Sequence, residues 1–194
     1  MHELISLREE ALSCTRCELH KNRNMLVFGE GNPDAGIFMI GEGPGYEEDK
    51  QGRPFVGKSG ILLDKILAAC GFDRSKHIYI GNIVKCHPPE NRNPSIEEAS
   101  KCLPYLERQI EIVNPKIIVL MGAIALRYMI DPDLRITKCR GQWIEHFGRL
   151  YMPVYHPSAL LRNPELKKDT WVDFKNIVRK YRELVDPEHY CEYL

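Results

Sequence analysis

The sequence has no excess of charge of either sign: 27 lysines and arginines face 27 aspartates and glutamates in 194 residues. Proteins that grip nucleic acid usually show a basic footprint, so any contact with phosphates here has to come from a local basic face. Long apolar runs are missing as well. None reaches the roughly 18 residues that a membrane helix needs, and no membrane role is expected. The first residues, Met1 to Glu10, are acidic and amphipathic and lack the basic-then-apolar order of a secretory signal, so a cytoplasmic protein is the expectation. Internal repeats and linkers are absent too. A hydrophobic content of 43% over this length suits a single domain spanning residues 1–194.

What the chain does have is seven cysteines, an odd number in a protein expected in a reducing compartment. A disulfide framework is therefore unlikely to be their purpose, and metal binding is the next reading. Cys14-Thr-Arg-Cys17 is a C-x-x-C, and Cys86 and Cys102 follow with fifteen residues between them. Four thiolates hold either tetrahedral zinc or a [4Fe–4S] cluster, and the spacing alone leaves both open. The plainer reading of Cys86 and Cys102 is that of small buried side chains. Cys70, Cys139 and Cys191 are read as ordinary packing residues. A four-cysteine centre would tie the N-terminal arm to the rest of the domain.

Strand and helix signals alternate along the chain. Ile37–Gly41, Ile78–Val84, Ile117–Met121 and Tyr151–Tyr155 are short apolar runs of the kind that form buried parallel strands. Helical spacing marks 3–12, 61–69, the segment opened by the capping box Ser95-Ile-Glu-Glu98, the segment after Gly122, and 166–184. Pro104 predicts a kink near Cys102, residues 141–148 a hairpin, and the last ten residues a loosely held tail. The alternation implies an α/β fold, a three-layer α/β/α sandwich with a central four-stranded parallel sheet. In such sheets ligands bind beyond the carboxyl ends of the strands. The chemically richest segments start there: Glu42 to Gly45, Asn82 with Lys85 to Pro89, and His156 to Ser158.

Gly41-Glu-Gly-Pro-Gly45 lacks both G-x-G-x-x-G and the Lys-Ser/Thr of a Walker loop, so nucleotide binding is a weak reading. Its glycines let the backbone approach a ligand closely. Glu42 is a candidate base or electrostatic partner, while Glu47, Glu48 and Asp49 read first as a solvated acidic run. Phe55 is either a core residue or a stacking platform for a flat ring. Asn82 interrupts an apolar strand, and its amide both donates and accepts, as a pyrimidine edge requires. His156, placed just after a strand, is a better candidate for catalysis than a lone histidine usually is.

These segments resemble the family 4 uracil-DNA glycosylases, the iron–sulfur branch of the uracil glycosylase superfamily. The resemblance rests on Gly41–Gly45, on Gly52-Arg-Pro-Phe-Val-Gly57, on Asn82 to Arg92, on His156-Pro-Ser-Ala-Leu160, and on the cysteine spacing. It implies a [4Fe–4S] cluster on Cys14, Cys17, Cys86 and Cys102, and uracil-containing DNA, single- or double-stranded, as substrate. It further implies that Phe55 stacks on flipped uracil, Asn82 reads its polar edge, and Gly41, Gly43 and Gly45 give close backbone approach. His156 would stabilise charge on uracil O2, and Leu160 would wedge into the duplex. Glu42 is the candidate to activate water, and Glu48, with Tyr46 beside it, to crowd the position of thymine's methyl group. His87 stands where the family often has Arg. The Arg-rich insertion of a sister group that traps uracil covalently is absent, so ordinary turnover is expected. A monomer is expected, with a sliding clamp as the candidate protein partner. Two competing readings are a non-catalytic iron–sulfur DNA-binding module and a zinc-bearing nucleotide enzyme.

Overall fold

The structure, a computed structural model, describes residues 2–194. Its strands are β1 (Glu30–Gly31), β2 (Ile37–Gly41), β3 (Ile78–Asn82), β4 (Ile117–Met121), β5 (Ile144–His146) and β6 (Arg149–Val154). Its helices are α1 (His2–Leu12), α2 (Tyr46–Gln51), α3 (Lys58–Ala69), α4 (Ile96–Val113), α5 (Ala123–Met129), α6 (Ile136–Cys139), α7 (Pro157–Arg162) and α8 (Leu166–Leu184). The sheet has six strands in the order β1-β3-β2-β4-β6-β5. The four strands read from the sequence form its parallel centre. The expectation of four strands is corrected at the edges, where β1 pairs antiparallel with β3 and β5 with β6, making the sheet mixed.

Every residue of β2, β3 and β4 is buried. Side chains alternate across a strand, so each strand feeds two cores. Phe38, Ile40, Tyr79, Ile118 and Leu120 pack on one face against α1, α4 and α5. Ile37, Met39, Ile80, Val119 and Met152 pack on the other against α3 and α8. Helices thus cover both faces, which is why these strands read as unbroken apolar runs.

Helix α4 starts at the expected capping box: Ser95 Oγ accepts from Glu98 N at 3.1 Å, and the Glu98 carboxylate accepts from Ser95 N at 2.7 Å. It continues as one helix through Pro104 to Val113. Its strongly one-sided apolar stripe, buried from Ala99 to Val113, holds it on the sheet in spite of the lost hydrogen bond. The acidic run after Gly45 forms α2, and Asp49 within it is buried, not solvated. Its carboxylate accepts from Asn24 N at 3.0 Å and pins the segment that follows the N-terminal arm. The C-terminal tail is also held. His189 and Cys191 are buried, and Arg182 donates to the carbonyls of His189 and Leu194.

The chain turns one way from β2 to β3 and the other way from β4 to β6, so the switch point of the sheet lies at the carboxyl ends of β2 and β4. Beyond the strand ends the hydrogen bonding continues. Ile83 N donates to Gly41 O and Val84 N to Glu42 O, locking the segments after β2 and β3 together.

Candidate active site

A cavity of about 620 Å³ opens at that switch point. Glu42, Gly43, Gly45, Glu48, Phe55, Asn82 and His156 all line it, together with Met121, Tyr155 and Ser158. The segments the sequence placed at three strand ends therefore meet around one hollow. Gly41 lies just behind the wall. A β-carbon there would stand 2.5 Å from Asn82 Oδ1 and 2.7 Å from the Phe55 ring, so only glycine lets the amide and the aromatic approach one another.

Asn82, 2% exposed, ends β3. Its Oδ1 is buried and has no hydrogen-bond partner among the described residues, a costly condition for a polar atom. The Phe55 ring is 6% exposed and lies 5.6 Å from the His156 ring, centroid to centroid, tilted by 37°. One wall is aromatic, and a donor–acceptor amide closes the end.

His156 is the N-cap of α7. Ser158 N donates to its Nδ1 at 3.1 Å, and the Ser158 hydroxyl lies 2.8 Å from the same nitrogen. A backbone amide can only donate, so Nδ1 is the acceptor and the proton of the neutral ring sits on Nε2. Burial, reinforced by the charge of Arg162, pulls the imidazole down to about 4. The ring at neutral pH is thus uncharged and offers an Nε2–H donor.

Burial also raises the Glu42 carboxyl above its ordinary range. Glu48 stands differently. Its Oε1 accepts from Val56 N and Gly57 N, both at 2.9 Å, and its Oε2 occupies the space beside Gly45. Tyr46 does not reach the cavity; it is 56% exposed and its ring lies under the Lys50 ammonium.

Leu160 also departs from expectation. It is 1% exposed and lies in the core, while its neighbour Leu161 is 45% exposed. Both sit on α7, which packs against α3 and α8, and a helix turns consecutive side chains about 100° apart. Residue 160 faces inward and residue 161 outward. Arg92, Arg127 and Arg162 line the mouth and were not singled out in the sequence. Arg162 was the one within reach, six residues after His156 in the same segment. Of the three, Arg92 is held by the Glu98 carboxylate at 2.7 Å, and Arg127 and Arg162 give a local basic patch to a chain of zero net charge.

Cys14, Cys17, Cys86 and Cys102 line a second, small cavity at the far end of the Asn82 segment. Its other lining residues include Arg16, His20, Arg23, Lys85 and Lys101, and no carboxylate. Arg23 Nη1 donates to Cys86 Sγ at 3.2 Å, and Lys85 N to Cys102 Sγ at 3.3 Å. Burial pushes the Cys17 and Cys86 thiols up and the Cys102 thiol up to about 11. Among the described residues no three histidine, cysteine or carboxylate side chains gather as a single metal ion requires. Cys70, Cys139 and Cys191 lie outside this cavity.

The His156 environment has a measurable consequence. Because its folded-state value lies below the ordinary 6.5, the unfolded chain binds this proton more readily. The associated stability is complete above 6.5 and is lost as the pH falls from there toward about 4. An imidazole chemical-shift titration should find His156 neutral at pH 7 with its midpoint well below 6.5. A midpoint at or above 6.5 contradicts this description.

Residues 28–177 match the family model of the uracil DNA glycosylase superfamily. The chain is 50% identical over 163 residues to the type-4 uracil-DNA glycosylase of Thermotoga maritima, covering 83% of each. It is 42% identical to that of Sulfurisphaera tokodaii, over 98% of this chain and 89% of the relative. To that of Archaeoglobus fulgidus it is 40% identical, over 91% of this chain and 92% of the relative. The chain belongs to the uracil-DNA glycosylase superfamily and, within it, groups with the type-4 uracil-DNA glycosylases.

Proposed function

We propose that this protein removes uracil from DNA by hydrolysing the N-glycosidic bond, leaving an abasic site and so initiating base excision repair. One observation carries the reading most directly: an unpartnered, buried Asn82 side-chain oxygen, Oδ1, faces a cavity walled by Phe55 and completed by a neutral histidine. A flat ring with a polar edge satisfies all three. The family to which the chain belongs supports the same substrate.

In this reading uracil, swung out of the stack, lies on Phe55, and Asn82 takes up both a donor and an acceptor on its edge. Gly43 contributes backbone at close range. Glu48, held on the amides of Val56 and Gly57, occupies the wall where thymine's methyl group would have to fit. As the C1′–N1 bond breaks, its electrons move into the base and the sugar becomes oxocarbenium-like. The His156 Nε2–H meets the charge that develops on uracil O2. A neutral donor already fixed in place needs no reorganisation at that moment. Glu42 has no side-chain hydrogen bond among the described residues, and its raised proton affinity suits it to take a proton from the water that adds to C1′. Its charge also favours the cationic sugar. Arg127 and Arg162 on the cavity wall are placed for phosphates, which answers the absence of a net basic charge. Every group needed comes from one chain, which supports action as a monomer.

The wedge we assign to Leu161, not Leu160, because of the two leucines only residue 161 is exposed. For the second cavity we propose a [4Fe–4S] cluster on Cys14, Cys17, Cys86 and Cys102. The donor set fits: four thiols, two of them already accepting N–H hydrogen bonds, lie in a ring of cations that favours thiolates and an anionic cluster. The resemblance to the iron–sulfur branch of the family favours the cluster over zinc, which the cysteine spacing alone leaves open. The cluster would supply a cross-link between the N-terminal arm and the sheet rim, a structural contribution.

Three tests follow from this site. Iron-replete protein should cut an oligonucleotide at a single uracil after alkali treatment and leave thymine untouched. Asn82→Ala and His156→Ala should each lower kcat/KM by at least about 100-fold; normal turnover in either variant would sink the assignment. Protein prepared without oxygen should be brown and hold about four iron atoms per chain, and Cys17→Ser should lose colour and iron together. A colourless protein with one zinc per chain would refute the cluster. Leu161→Ala should slow cleavage of duplex uracil roughly tenfold or more while sparing single-stranded substrate, because extrusion costs a few kcal/mol. Leu160→Ala should instead lower the unfolding free energy by about 2–5 kcal/mol. The reverse pattern would return the wedge to Leu160.

A further inference from the structure

We infer that Arg74 is a positioning residue that holds the Phe55 ring in stacking geometry, working through the backbone of the platform and never touching the substrate. The inference rests on the reading of Phe55 as the surface on which uracil lies. Phe55 has φ +53, in the left-handed region that side-chain-bearing residues rarely adopt. Such a conformation persists only where its surroundings over-determine it. Here they do so from both sides. Arg74 Nη1 donates to Phe55 O at 2.9 Å, and its Nη2 donates to Pro54 O. On the other side, the Glu48 carboxylate accepts from Val56 N and Gly57 N. The carbonyls entering the turn thus point at a cation and the amides leaving it at an anion. Hydrogen bonds to charged groups are the stronger kind, so the pair grips the turn by its peptide dipoles.

The rest of the neighbourhood is built around this grip. Gly60 leaves room for the Phe55 carbonyl, since a β-carbon there would lie 1.9 Å from it. Arg74 is itself fixed by Asp64 at 3.1 Å and by Glu30 at 3.1 Å, and Glu30 is bridged in turn to Arg53 at 2.8 Å. Its side chain is 19% exposed and is not part of the cavity wall. Whatever Arg74 does for the site it must therefore do through the Phe55 turn. A lysine cannot reproduce the function in full, because one ammonium lacks the planar fork that reaches two successive carbonyls and two carboxylates.

The experiment is a double-mutant cycle on the full-length, iron-replete protein with a uracil-containing oligonucleotide, alongside inhibition by free uracil. The variants are Arg74→Met, Arg74→Lys, Phe55→Ala and the Arg74→Met/Phe55→Ala pair. Arg74→Met should lower kcat/KM about tenfold or more, as misplacement of a binding surface does, and should weaken inhibition by free uracil. Arg74→Lys should recover part of both. In the Phe55→Ala background the loss of Arg74 should have almost no further effect, because the group it positions is gone. Equal fold-losses from Arg74→Met in both backgrounds, or unchanged inhibition by uracil, would overturn the inference. If Arg74→Met does not fold, Arg74→Lys carries the same cycle. Wild-type protein that neither cleaves nor binds uracil overturns the functional reading, and this one with it, whereas active wild-type protein with an additive cycle overturns this one alone.

Discussion

The ammonium of Lys85 sits where three parts of the molecule have to be held in register. It is fully buried, and desolvation pulls it down to about 8. It donates to the Asn82 carbonyl at 3.0 Å and to Gln109 Oε1 at 2.5 Å, while its own backbone amide reaches Cys102 Sγ. Gln109 passes its amide on to the carbonyl of Phe28. One residue thus ties together the end of the base-facing strand, the long helix α4, the segment after the N-terminal arm and the cysteine centre. A buried cation is costly unless its donors are met, and a partly met network is worse than none. This network fixes its members, and Asn82 keeps its place at a strand end with its side-chain oxygen unpaired.

The site as a whole is a set of unpaid conditions that a ligand would meet. Asn82 Oδ1 lacks a partner, His156 is held neutral by burial, Glu42 is desolvated, and Phe55 is kept in a left-handed turn. Each condition opposes folding, and three of them are maintained by neighbouring groups: Lys85 behind Asn82, Ser158 on the imidazole, Arg74 and Glu48 around Phe55. Such an arrangement places dipoles where charge develops during bond breaking, and it does so before the substrate arrives.

How much of this was legible in the sequence depended on whether the signal was local. The four central strands read plainly because each is buried on both faces and is therefore apolar throughout. Their carboxyl ends then located Glu42, Asn82 and His156 without any contact information. The capping box at Ser95 was legible for the same reason. Edge strands were not. β1 is two residues long and exists only through its pairing with β3. Arg74 left no trace, since its partners Glu30, Pro54 and Phe55 lie far from it in sequence. Asp49 was hidden in an acidic run, and the approach of Asn24 and Met25 distinguishes it from the exposed Glu47 in the same run. Leu160 and Leu161 are chemically identical, and one step along a helix decides which is core.

That single step bears on how extrusion and catalysis are joined. His156 caps α7 and Leu161 lies on its last turn, so five residues of helix set them about 7–8 Å apart along its axis. The hydrogen bond from Ser158 N that begins the helix is also the one that fixes the imidazole's tautomer. The proposed wedge and the proposed donor are therefore mounted on one short helix, with Leu160 buried beneath it. A flexible loop could set the wedge without setting the donor. A helix cannot, and on the proposed assignment a Leu161 inserted into the stack would carry the Nε2–H of His156 to a fixed position relative to the gap that it fills.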